Sequence, residues 1–86
     1  MNVKNKLIEE GINLGKALKE KNVAHYAKTK IHIILEPYST INDKIECLLD
    51  FSVKCDKELP TEIISGENRE KDIQLYIAGV IKELNK

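Results

Sequence analysis

Two histidines and two lysines stand at a spacing that places them along one edge of a helix. Lys21, His25, Lys28 and His32 are separated by four, three and four residues, which is the repeat of neighbouring positions on a helix face. Imidazole is a common zinc ligand, so a metal site is one interpretation. However, the lysines on the same edge repel a cation, and no further ligand follows at close spacing. The pattern favours histidines that face solvent or a partner.

An acidic edge follows in a later segment. Asp43, Glu46 and Asp50 share one face at helical spacing, so they could hold a divalent ion or act as an acid–base pair. A solvated helix face is the commoner origin of such a pattern. We therefore expect this edge to be wet, or to contact a partner protein.

The two cysteines, Cys47 and Cys55, lie eight residues apart in one predicted helix. Eight helical residues span about 12 Å, so the thiols are too far apart for a disulfide. Neither has a histidine close by in the sequence to activate it, which favours inert thiols, with Cys55 facing the core and Cys47 at its edge. Free thiols indicate a reducing compartment, so we expect a cytoplasmic protein.

Several common signatures of activity or targeting are missing from the sequence. It has no glycine-rich phosphate loop, no nucleophile elbow and no CxxC pair. It also has neither a signal-peptide pattern nor an apolar run of 18 residues, which predicts a soluble protein. We expect a protein that is not an enzyme and that uses no cofactor or metal.

The net charge is zero, but the charges are unevenly distributed. Residues 1–32 carry seven lysines and three glutamates, and residues 33–86 carry a matching excess of acids. The basic part holds a candidate phosphate-binding ridge, formed by Lys16, Lys19, Lys21 and Lys28 with the two histidines beside it. The near-absence of arginine argues against base-specific recognition. The competing interpretation is a solvated edge, because lysines commonly supply the wet side of an apolar helix.

Hydrophobic periodicity predicts an all-α fold, a bundle of four main helices and one short helical turn in a single domain over residues 1–86. The first helix is predicted over residues 3–21, with Gly11 and Gly15 inside its apolar stripe. Each glycine costs about 1 kcal/mol relative to alanine in a helix interior, so we expect a second helix to approach closely there. The expected partner is the most apolar segment, residues 22–38, which we predict to be the central helix and to end near Glu36, before Pro37.

Two further helices are predicted, from Ile41 to Cys55 and from Arg69 to Leu84. Thr40 and Asp43 form a predicted capping box for the former, and Asn68 is the predicted cap of the latter. The short turn is predicted after Leu59-Pro60, and Gly66 closes it. On the last helix Leu75, Ala78 and Gly79 fall outside the main stripe, so they predict a flat patch at which a partner or another copy makes contact.

The order of these features resembles a known family. In chain order the features are a glycine-bearing helix, a lysine-bearing aliphatic helix, the segment CLLDF, the Leu59-Pro60 connector and the closing segment YIAGVI. This order resembles the helical C-terminal part of the large subunit of type I CRISPR Cascade complexes, and the free-standing small subunits equivalent to it. The resemblance implies a non-catalytic bundle that stacks with other subunits and steadies target DNA, including the displaced strand. The implied nucleic-acid contacts are Lys16, Lys19, Lys21, Lys28 and Lys30.

Two further features bear on the resemblance, the first against it and the second in its favour. The zero net charge departs from the basic character of proteins that bind nucleic acid independently. The initial methionine suits a separately encoded or internally initiated subunit.

A second class of function fits the same composition. It is a small protein-binding bundle, such as an immunity protein, an antitoxin or a phage-encoded inhibitor. The partner contacts would then be Asp43, Glu46, Asp50, Leu75 and Gly79. In both classes we expect no membrane association and, for the free protein, a monomer or a weak oligomer that dissociates in salt, because each exposed ion pair contributes only about 0.2–1 kcal/mol.

Overall fold

The computed structural model describes residues 3–86, with side chains from residue 5 onward, so the initial methionine lies outside the described residues. Five α-helices follow one another: α1 (Val3–Glu20), α2 (Ala24–Ile34), α3 (Ile41–Cys55), α4 (Thr61–Ser65) and α5 (Arg69–Leu84). Residues 3–86 form no strand. The prediction of four main helices and one short turn is therefore confirmed. None of the described helices combines the length and the apolar character needed to cross a membrane.

The centre of the fold is the contact between α1 and α5, which is the most extensive helix pair. A Cβ atom added at Gly11 would collide with the carbonyl oxygen of Tyr76, and one at Gly79 would collide with that of Ile8. Gly15 lies opposite Val80 and Glu83, so the contacts advance in the same direction along both helices. The two helices are therefore parallel, with their backbones in direct contact at small residues.

This contact corrects two predictions made from the sequence. The partner of Gly11 and Gly15 is α5 and not the segment 22–38, because Gly79 gives α5 its own point of close approach. The patch expected at Leu75, Ala78 and Gly79 is not a flat exposed surface: Gly79 is buried, Leu75 is half-buried, and only Ala78 is exposed. Gly79 therefore holds the fold together and is not available to a partner.

The prediction that the segment 22–38 is the central helix is also wrong. The helix α2 lies at the side of the bundle, ends at Ile34, and buries only Ala27, Ile31 and Ile34. At about 1.5 Å per residue its 11 residues span roughly 16 Å, while α1 and α5 already fill the centre. Much of its apolar surface is consequently left uncovered.

The ends of the helices follow local sequence signals. The predicted capping box of α3 is confirmed: the Asp43 N–H donates to Thr40 Oγ1 at 3.1 Å, and the Thr40 N–H donates to the Asp43 carboxylate at 2.9 Å. Asn68 precedes α5 as predicted, but its side chain makes no capping hydrogen bond. The short helix α4 follows Pro60 and is closed by Gly66, as expected.

Two helices end in the same left-handed turn. Asn22 after α1 and Asp56 after α3 have φ angles of 60° and 53°. After α1, the N–H of Val23 bonds to the carbonyl of Leu18 at 3.0 Å, and α3 ends with the equivalent bond, from Lys57 to Ser52 at 2.9 Å. This is the Schellman arrangement, which commonly places glycine at the left-handed position.

One cluster of buried side chains connects all five helices. Leu49 is 43% exposed, although the apolar pattern of α3 predicts that it faces inward. The largest fully buried side chains are Leu7, Leu14, Leu18, Leu48, Phe51, Ile63, Ile73 and Val80. The radius of gyration of 11.7 Å matches the value of about 12 Å expected for a compact chain of this length. The core is therefore complete without a large contribution from the outer face of α2.

Candidate functional site

A groove of about 380 Å³ lies between α2 and α3 and is open to solvent. The α2 side presents Tyr26, Lys30 and Ile33, and the α3 side presents carboxylates. Tyr38, in the loop that joins the two helices, also lines the groove. The groove therefore combines a concave apolar surface with one acidic edge.

Part of the apolar surface of the groove is exposed to solvent. Tyr38 is 77% exposed and Ile33 is 53% exposed, while Ile34 forms a buried part of the floor. Both exposed side chains come from the segment whose apolar character exceeds what its neighbours cover. Contiguous exposed apolar side chains with a polar rim are typical of a surface that contacts another molecule.

Tyr26 fixes the two walls of the groove to each other. Its hydroxyl donates a hydrogen bond to Asp50 Oδ2 at 2.7 Å, and its ring packs edge-on against Phe51 with centroids 6.3 Å apart. The hydrogen bond to Asp50 raises the pKa of the Tyr26 phenol and lowers the pKa of the Asp50 carboxyl. This wall-to-wall contact was not anticipated from the sequence.

Two ammonium groups lie over the Tyr26 ring. The Nζ atom of Lys30 lies 5.7 Å from the ring centroid, and that of Lys54 lies 5.3 Å from it. Both distances are within the range of cation–π attraction. Lys54 also forms an ion pair with Asp50 Oδ1 at 3.3 Å. The groove therefore contains a site that already attracts cationic side chains.

The structure brings together all three carboxylates of the predicted acidic edge. Asp43, Glu46 and Asp50 line the same groove. Asp43 is occupied by the α3 cap and Asp50 by Tyr26 and Lys54, whereas Glu46 makes no ion pair within the described part of the chain. No cluster of three or more metal-ligating side chains occurs among the described residues.

The Cys47 thiol also lines the groove. Burial raises its pKa to about 11, and burial likewise raises the pKa of the Cys55 thiol in the core. Both cysteines are free, as predicted. Neither thiol is activated as a nucleophile, since a raised pKa depletes the reactive thiolate.

The five candidate lysines do not form one continuous ridge. Lys19 is held in an ion pair by Glu83 at 3.0 Å. Lys28 lies beside the end of α5, in a crevice with Leu84, whereas Lys30 lies in the α2–α3 groove. The remaining candidates, Lys16 and Lys21, are exposed, and so are His25 and His32.

Sequence reasoning found the acidic edge of the groove but missed its apolar floor and wall. The signal was present, because residues 22–38 hold more apolar side chains than one buried face requires. The prediction of a central helix assigns this excess to burial. The same excess of apolar side chains is also expected for a helix that lines an exposed groove.

The protein was also compared with known proteins. No protein-family model, curated protein or solved structure matches this chain.

Proposed function

We propose that this chain is a non-catalytic protein-binding module that acts in the cytoplasm and uses the α2–α3 groove as its contact surface. The observation that carries the proposal is the exposure of Ile33 and Tyr38 beside a row of carboxylates. An apolar centre with a polar rim is the usual composition of a specific protein interface. Tyrosine is among the residue types that most often contribute a large share of the binding free energy at such interfaces.

Capture of partners from native cells tests the proposal. A tagged chain carrying Ile33→Ser and Tyr38→Ser is compared with the wild type and with Val53→Ser. Val53 is 78% exposed on α3 but does not line the groove, so its variant removes the same kind of surface elsewhere. We expect the groove variant to lose a partner that the Val53 variant retains, while both keep the helical circular dichroism of the wild type. Equal retention by all three chains would refute the groove as the contact surface.

A nucleic-acid-steadying role, as in a Cascade-type small subunit, is the second candidate. Its support is that Lys16, Lys21 and Lys28 are exposed and make no ion pair within the described residues. Phosphate contacts of this kind need no defined pocket and weaken as salt rises. The zero net charge makes such binding weak for the free chain.

Gel shift of single-stranded DNA at low and high salt tests this second candidate. The variant is Lys16→Ala/Lys21→Ala/Lys28→Ala, which spares Lys19 because its loss would strand the buried Glu83 carboxylate. Lys57→Ala/Lys71→Ala is the control, since both of these lysines are exposed elsewhere on the surface. Binding that is lost only in the triple variant supports the role. An absence of binding by the wild type at low salt counts against it.

A further inference from the structure

We infer that the occupant of the α2–α3 groove is a cationic amphipathic helix of a protein partner. This inference rests on the proposed function, and it adds the chemistry of the partner. It follows from three properties of the groove: the sign of its charge, the spacing of its carboxylates and the position of its exposed apolar side chains.

The charge of the groove lining is negative. The described lining holds Asp43, Glu46, Asp50 and one lysine, Lys30. Since Lys54 pairs with Asp50 from beside the groove, one negative charge remains unbalanced. Because Glu46 is exposed and makes no ion pair in the described part of the chain, its full charge is available to a ligand. A cationic ligand is therefore attracted and an anionic one is repelled.

The spacing of the carboxylates matches a helix. They lie at positions i, i+3 and i+7 of α3, so the row extends over roughly 10 Å along the helix axis. A partner helix lying beside α3 presents side chains at the same repeat, and two of its turns cover the row. Asp43 and Asp50 already bond within the chain, so Glu46 is the carboxylate that a partner lysine or arginine meets most directly.

The apolar side chains fix which way the partner helix must face. Ile33 lies on α2, the carboxylates lie on α3, and Tyr38 lies in the loop between these helices. A helix that meets both walls therefore needs an apolar stripe toward α2 and a basic stripe toward α3. The Tyr26 ring is already occupied by two ammonium groups, so the partner cation is directed to Glu46 and not to this ring.

Two synthetic helical peptides test the inference. One consists of alanine with a leucine stripe and an adjacent lysine stripe, and the other has glutamate in place of each lysine. The protein is Cys55→Ala, so that Cys47 in the groove wall is the sole thiol. The measurements are the anisotropy of the labelled peptide and the rate of Cys47 alkylation. We expect the lysine peptide to bind and to slow the alkylation of Cys47, and we expect its affinity to fall as salt is added. The glutamate peptide should neither bind nor change the alkylation rate.

Matched variants locate the binding. Glu46→Gln should lower the affinity for the lysine peptide by about 2- to 5-fold, which is the effect of one exposed ion pair. Glu9→Gln, which neutralises an exposed carboxylate on α1, should leave the affinity unchanged. Ile33→Ser/Tyr38→Ser should weaken binding further, whereas Val53→Ser should not.

The remaining outcomes separate this inference from the proposed function. If both peptides protect Cys47 equally, the inference of a cationic helix is wrong. It is also wrong if neither peptide protects Cys47 while the groove variant still loses its cellular partner. In both cases the groove remains a protein-binding surface. If the wild type self-associates through the groove in sedimentation, the occupant is a second copy and the inference is likewise overturned. If neither peptide binds and partner capture ignores the groove, both proposals fail.

Discussion

The ammonium of Lys19 lies 3.0 Å from Oε2 of Glu83, which joins the last turn of α1 to the last turn of α5. The glutamate is only 5% exposed, and its other oxygen lies 3.3 Å from the Lys86 ammonium. Since α1 and α5 are parallel, the negative ends of two helix dipoles meet at this place. The two lysines offset both those dipoles and the buried carboxylate.

The first prediction concerns the pH dependence of this ion pair. The hydrogen bond from Lys19 lowers the pKa of the Glu83 carboxyl below its ordinary 4.5, by more than burial raises it. Because the unfolded chain then binds more protons, the stabilisation is complete above pH 4.5 and is lost as the pH falls through the lowered pKa. Glu83→Gln should therefore unfold at a lower urea concentration than the wild type at neutral pH, and this difference in midpoint should narrow as the pH falls below 4.5. Glu9→Gln, an exposed control, should show no such difference.

The second prediction concerns the close approach of α1 and α5. Gly79→Ala places a Cβ atom against the Ile8 carbonyl, so we expect a loss of about 1–3 kcal/mol in the free energy of unfolding, despite the higher helix propensity of alanine. Ala78→Leu adds more atoms at the neighbouring exposed position and should change stability by less than about 0.5 kcal/mol. Denaturant titration measures both. An unfolding midpoint of Gly79→Ala equal to that of the wild type would contradict the close contact.

The third prediction concerns the left-handed residue after α3. A left-handed conformation costs an L-residue roughly 1–2 kcal/mol, and glycine avoids that cost. Glycine also makes the unfolded chain more flexible, which lowers the stability of the folded protein by about 0.4–1 kcal/mol. Asp56→Gly should therefore stabilise the protein by up to about 1 kcal/mol, and Asp56→Ala should destabilise it. Thermal unfolding distinguishes the two signs. A loss of stability with glycine would mean that the Asp56 side chain has a stabilising role of its own.

The fourth prediction concerns the two thiols. With a pKa of about 11, Cys47 should alkylate slowly at neutral pH, and its rate should still climb at pH 10, where an ordinary thiol of pKa 9.0 has levelled off. Cys55 should react more slowly than Cys47 because it is only 6% exposed. The single-thiol variants Cys55→Ala and Cys47→Ala separate the two rates. Faster labelling of Cys55 would indicate that α3 opens readily to solvent.

The elements of the fold were predictable because their signals are local. The bounds of α3 and α5 follow from apolar periodicity, and the capping box of Thr40 and Asp43 is written in four consecutive residues. The pairing of helices was not predictable in this way. Gly11 indicates that some backbone approaches closely, but periodicity does not say which helix supplies it.

The candidate groove was predictable only in part. Its carboxylates share one helix and one spacing, so their common face follows from the sequence. The bond between Tyr26 and Asp50 joins two helices, and its formation depends on how α2 settles against α3. Lys28 and Lys30 are two positions apart, so they face opposite sides of α2. Which crevice each lysine enters depends on how α2 packs against its neighbours.

The parallel pairing of α1 with α5 also governs the timing of folding during translation. Of the described helices, α1 is synthesised first and α5 last, so the most extensive helix contact joins residues that lie far apart in the sequence. At roughly 5–20 residues per second, several seconds separate the synthesis of Gly11 from that of Gly79. For that interval α1 lacks its main partner helix, and the apolar stripe that α5 will cover stays exposed to aggregation.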